Sequence, residues 1–140
     1  MNPDCGHDWA QRELGGASLG DRRLSQRLVI LASQLAAAPS ASIPKACGPW
    51  SQSKAAYRFC ANDKVNEDDL LAPHYQSTKE RLREHPVVLA VQDTTQLDFT
   101  SHPQTTGLGI LSDPKHQGLF YHPTLLVSPE KTPLGLAHHL

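Results

Sequence analysis

The chain has no CxxC pair and only three cysteines, Cys5, Cys47 and Cys60, in 140 residues. An odd number without paired spacing does not make a secreted disulfide framework, so the three read as reduced thiols of a cytoplasmic protein. Long apolar runs are missing too. None approaches the roughly 20 residues of a membrane span, and the start, MNPDCGHDWAQRE, lacks the charged-then-apolar pattern of a signal segment. A surplus of either charge is also absent: 13 Lys and Arg against 14 Asp and Glu leave a formal net charge of -1. The chain as a whole therefore exerts no general pull on nucleic acid or on membranes. These absences predict a soluble, cytoplasmic protein with no membrane partner.

What is present is a hydrophobic content of 39%, adequate for a packed core. The charge is unevenly placed. Through Cys60, seven bases (Arg12, Arg22, Arg23, Arg27, Lys45, Lys54, Arg58) meet four acids, whereas from Ala61 onward six bases meet ten acids. The front is mildly basic and the remainder acidic.

Leu24, Leu28, Leu31 and Leu35 recur at helical spacing, Asp21 is placed to cap the start and Pro39 to stop the run, which predicts a helix between them. Arg23 and Arg27, four apart, border its apolar stripe. PSASIPKACGP, with three prolines and a glycine, predicts a loop. WSQSKAAYRFCAN predicts a second helix, with Ala56, Phe59 and Cys60 available for burial and Lys54 and Arg58 on another side; Asn62 to Asn66 makes a turn. A third helical region starts at Asn66, with Glu67, Asp68 and Asp69 in its positive first turn and Arg81 and Arg83 at its far end. Pro73 predicts a kink or a break there. Trp9 and Trp50 read as packing anchors rather than stacking platforms.

After Pro86 the texture changes. VVLAVQD is a short apolar run that suits a strand buried on both faces, and LFYHPTLLVSP and PLGLAHHL read as two further strands joined by the turn SPEKTP. SHPQTTGLGILSDPKHQG reads as a long loop. Helices first and strands second predict an α+β chain, a helical domain over 1–84 and a strand-rich one over 85–140. Three strands with an apolar central one cannot bury themselves, which predicts a truncated piece of a larger sheet.

Asp93, at the exit of the apolar run, is a candidate ligand for a divalent cation, because hard ions take oxygen ligands and a strand holds one rigidly. The alternative is that Asp-Thr-Thr merely ends the strand by bonding nearby amides. Asp98 lies five residues on and would face the other way along a continuous strand. His102, His116, His122, His138 and His139 show neither HxxxH nor Cys-paired spacing, and Cys5 and His7 are equally isolated, so a zinc site is not indicated. For Arg22, Arg23, Arg27, Lys45, Lys54 and Arg58, a solvated helical surface competes with a phosphate-contacting face.

Taken in order, WA (Trp9, Ala10), LGDRRL with Arg27 and Leu28, SIPKACG, AAYRF, Asn62, LAPH and VQDTTQLDFT resemble cut-and-paste bacterial transposases of the insertion-sequence-four group, similar to that of transposon five. TGLG, Gly118, His122 and PLGL continue the likeness. The resemblance implies a helical domain that binds double-stranded DNA at terminal inverted repeats, followed by the first strands of a ribonuclease H-like catalytic sheet. In such enzymes three acids hold two Mg2+ or Mn2+ ions for phosphodiester attack. Asp93 matches the first of these acids. No residue up to Leu140 occupies the place of the other two, so the resemblance implies a truncated enzyme that holds metal weakly. It would have full-length transposase or a downstream catalytic fragment as a further partner, or act as a regulatory, inactive subunit, or be a fragment with no function.

Overall fold

The computed structural model describes residues 3–139, with side chains described from residue 8 to residue 137. The expectations for the side chains of Cys5, His7, His138 and His139 lie outside the described residues. Among the described residues five helices come first, α1 (Pro3–Leu14), α2 (Arg22–Ala37), α3 (Ile43–Cys47), α4 (Trp50–Cys60) and α5 (Glu67–Leu82). Six short strands follow, β1 (Leu89–Gln92), β2 (Thr95–Asp98), β3 (Gly109–Ile110), β4 (Gln117–Tyr121), β5 (Pro123–Val127) and β6 (Pro133–His139). Helices and antiparallel strands are thus segregated along the chain, an α+β arrangement. It divides into two compact units, Met1–Ser77 and Thr78–Leu140, the division falling within α5.

In the helical unit, Asp21 takes up an extended conformation and its Oδ1 accepts from the Arg23 N–H at 2.8 Å, satisfying one of the free amides at the start of α2. Leu28, Val29 and Leu31 turn inward from that helix. Leu28 and Leu31 meet a core of Leu14, Ala17, Leu19, Cys47, Ala56 and Phe59, with Leu24, Leu35, Ile43, Val65 and Leu70 packed at its margin. Cys60, expected in the interior, is exposed. Trp50 is 73% exposed and Trp9 44%, so neither is the packing anchor the sequence suggests. The core of this unit is closed by leucines and Phe59 instead.

Two prolines behave otherwise than expected. The segment read as a loop contains α3, which tolerates Pro44 because it sits in the first turn, where a missing N–H costs nothing. Gly48, at φ +72°, then ends that helix in a conformation other residues resist. Pro73 lies inside α5 without ending it. The carbonyl four residues earlier belongs to Asp69, which is exposed and can be satisfied by water, while half-buried Pro73 comes up against Gly16. Asn66 Oδ1 caps α5 by accepting from the Asp69 N–H at 2.9 Å. Between α1 and α5, buried Glu13 pairs with His74 at 2.6 Å.

The strand unit holds two three-stranded antiparallel sheets, ordered β1-β5-β6 and β2-β4-β3. They share a common interruption. Gln92 is opposite Thr124 and Thr95 is opposite Tyr121, so Asp93 and Thr94 break one strand where His122 breaks the other. The Thr94 hydroxyl and His122 Nδ1 meet across this break at 2.6 Å.

β1 is an edge strand, not a central one, and it is exposed along its whole length rather than buried on both faces; Leu89 and Val91 remain 48% and 50% exposed. The expected long loop also contains a short strand, β3, which pairs with β4. Gly118 is required there: an added Cβ would collide with the Leu97 carbonyl. Gly135, at φ +143°, leaves no room for a Cβ beside Thr78. Arg81 donates through Nε to the Leu134 carbonyl, and Lys131, at φ +67°, closes the turn between β5 and β6.

A candidate nucleic-acid interface

α2 and α4 enclose an open cleft of about 470 Å³ that collects four cations: Arg23 and Arg27 from α2, Arg58 from α4, and Lys64 from the turn after it. Helical spacing explains the convergence. Arg23 and Arg27 are one turn apart on the flank of the leucine stripe, and Arg58 immediately precedes the core residue Phe59, so burial of Phe59 sets Arg58 at the rim. Arg27 is half-buried, and its Nη1 donates to Gln52 Oε1 at 2.6 Å. A guanidinium has further donors, so this bond orients it without exhausting it. Leu24, Ala55 and Phe59 form the apolar floor, and Asn62 adds a neutral polar group at the edge.

Of the six bases read from the sequence, Arg23, Arg27 and Arg58 come together here. Arg22 lines a separate hollow with Ser25 and Gln26, Lys45 is exposed on α3, and Lys54 stands on the solvent face of α4. Lys64 escapes sequence reasoning because it follows a helix end and carries no periodicity. The legible signal is a different one: from Arg22 to Asn62 there is no Asp or Glu at all. Asp21 is the one acid among the described residues that line the cleft. Such a surface is suited to phosphates, which Arg engages in bidentate fashion and Lys as a point charge.

Asp93 is exposed, and its Oδ1 accepts from the Thr94 N–H at 2.9 Å, the local bond by which such a residue ends a strand. Among the described residues, no group of three or more His, Cys, Asp and Glu is placed to hold a metal ion. Asp98 is engaged elsewhere, in β2 beyond the break at Asp93 and Thr94. Its Oδ2 meets His116 Nδ1 at 2.5 Å, and its Oδ1 accepts from the Thr100 N–H at 2.8 Å. The hydrogen bonds from Thr100, then that from His116, lower the Asp98 pKa to about 2, and the Asp98 carboxylate raises that of His116.

The signs define a window. Asp98, with its pKa depressed from 3.8, contributes stability above that value and loses it as pH falls toward about 2. His116, with its pKa raised from 6.5, contributes fully below 6.5 and loses the contribution as pH rises through the raised value. Both groups are solvent-exposed, so the titration is the readout. In an NMR titration, Asp98→Asn is expected to lower the His116 pKa toward 6.5; an unchanged midpoint would show that the carboxylate does not set it.

Residues 6–65 match the family model described as transposase DNA-binding. The match contains α2, α3 and α4 in full and all four cations of the cleft. Over these residues the helical unit is similar to a transposase DNA-binding segment, and DNA is the partner that this likeness supports. Among the described residues, no helix is long and apolar enough to cross a membrane.

Proposed function

We propose that the helical unit binds the terminal inverted repeats of an insertion element, with the α2–α4 cleft against the phosphate backbone. The observation that carries this is the convergence of Arg23, Arg27, Arg58 and Lys64 in one cleft inside the matched segment. On this reading the protein is a transposase of the insertion-sequence-four kind, and the strand unit is the beginning of a ribonuclease H-like sheet with Asp93 as its first acid. Mg2+ or Mn2+ would supply Lewis-acid chemistry at such a site. The described residues do not fit a two-ion site, since no group of three or more His, Cys, Asp and Glu among them, Asp93 included, is placed to hold a metal ion. Occupying DNA ends without cutting them is then the activity of these 140 residues. Cutting would require carboxylates from full-length transposase or from a separate catalytic fragment.

The test is competition binding between a duplex carrying the element's terminal repeat and one of scrambled sequence. The expected result is preference for the repeat, equal binding by Asp93→Ala, and no strand cleavage by the 140-residue chain with magnesium or manganese. Equal affinity for the scrambled duplex would refute end recognition. Metal-dependent cutting abolished by Asp93→Ala would refute the incomplete site.

A further inference from the structure

The cleft uses one flank of α4 and leaves its solvent face unused. On that face Trp50, Lys54 and Tyr57 follow one another at intervals of four and three residues, so they share a single stripe, while Ser53, Ala56 and Phe59 are buried behind them. Arg58 stands between the stripe and the cleft and joins the two. Trp50 is 73% exposed and Tyr57 49%, and α4 carries no acid. Pro49 precedes the helix with φ −57° and ψ 146°, which fixes where Trp50 emerges.

Two exposed rings with a cation between them are the chemistry of a single-stranded nucleic-acid site, where bases stack on aromatic faces and the backbone follows positive charge. The seven-residue separation of the rings spans about 10 Å of helix, long enough for Lys54 to meet backbone between two stacked bases. A duplex interior does not fit. Its bases are covered on both faces by their neighbours, so a ring on a helix surface can stack only on an unpaired base or an open end. A flat apolar protein surface would leave Lys54 and Arg58 without counter-charge. We infer that the Trp50–Lys54–Tyr57 stripe of α4 binds unpaired nucleotides of DNA adjoining the duplex held in the cleft. This rests on the reading that the helical unit binds DNA.

Trp9 and Trp50 are the two tryptophans of the chain, so Trp9→Phe leaves Trp50 as the reporter. The probes are a blunt duplex and the same duplex with a single-stranded extension of about six nucleotides, within the range of known single-strand sites. The extension is expected to tighten binding about tenfold and to quench Trp50 fluorescence. Trp50→Ala should abolish that advantage while leaving blunt-duplex affinity and helix content unchanged, and Trp50→Phe should keep part of it. Equal affinity of the parent for both probes, or equal weakening of both by Trp50→Ala, would overturn the inference while leaving duplex binding intact. A change in oligomeric state on Trp50→Ala without DNA would overturn it in favour of a protein contact. Failure of the parent to bind even the blunt duplex would remove the DNA-binding reading itself, and this inference with it.

Discussion

Replacement of Arg23, Arg27, Arg58 and Lys64 together by alanine is expected to make the salt dependence of DNA binding shallower by about 3.6 in slope, at about 0.9 for each phosphate no longer neutralised. Between about 50 and 200 mM salt, four neutralised phosphates account for roughly a hundredfold fall in the parent's affinity, and the variant should not show that part of it. The effect is large because counterion release is the dominant sequence-independent term in holding duplex DNA. The variant should remain folded: all four side chains lie at the cleft rather than among the core residues. Arg22→Ala is the matched control, since it removes the same charge from the same helix outside the cleft. Its effect on the slope is expected to be about that of one peripheral phosphate at most. Fluorescence anisotropy over a salt series measures both. A quadruple variant with the parent's slope would mean that the cleft is a solvated surface and nothing more.

The second large effect is on stability. Phe59 is 4% exposed, packs in the core with Leu28, Leu31, Cys47 and Ala56, and also floors the cleft. Phe59→Ala removes most of a ring's buried surface and leaves a cavity, at a cost of about 3–5 kcal/mol. A unit of this size has only about 4–12 kcal/mol to lose. The variant is therefore expected to unfold at much lower denaturant concentration and to lose DNA binding with its fold. Tyr57→Ala, at a half-exposed position on the same helix, should cost far less. Denaturant unfolding followed by circular dichroism compares the two; similar midpoints would show that Phe59 does not close this core.

These expectations draw on a sequence that is readable in parts. α2 is plain, because four leucines at helical spacing and a capping Asp21 all specify one element. α1 does not stand out, although Ala10, Glu13 and Leu14 are buried at helical intervals; the stretch is too short for its period to show. α3 and the continuous α5 are hidden by proline, whose effect depends on its place in a helix and on the exposure of the carbonyl it leaves unpaired. The apolar run at Val87–Val91 misleads for a different reason. Period alone does not separate a central strand from an edge strand, and the pairing order that decides it is set by distant β5 and β6.

The candidate interface is legible as a set of bases but not as a shape. Arg23, Arg27 and Arg58 are distinguished from Arg22 and Lys45 only by how α2 and α4 pack, which depends on the burial of Leu28 and Phe59. Trp50 is expected inside because large apolar rings usually are, yet it stands at the start of α4 with its neighbours Pro49 and Ser51 also exposed. Asp93 stands out by position, and its hydrogen bond to Thr94 is the local one that its sequence context predicts without any metal.

The most direct measurement is an NMR titration of the isotopically labelled 140-residue chain with duplex DNA carrying the element's terminal repeat. The account predicts that the largest shifts fall on Arg23, Arg27, Arg58, Asn62 and Lys64, residues that line the α2–α4 cleft. Shifts concentrated elsewhere, on the strands or on the Arg22 side of α2, with the cleft residues unmoved, would contradict it.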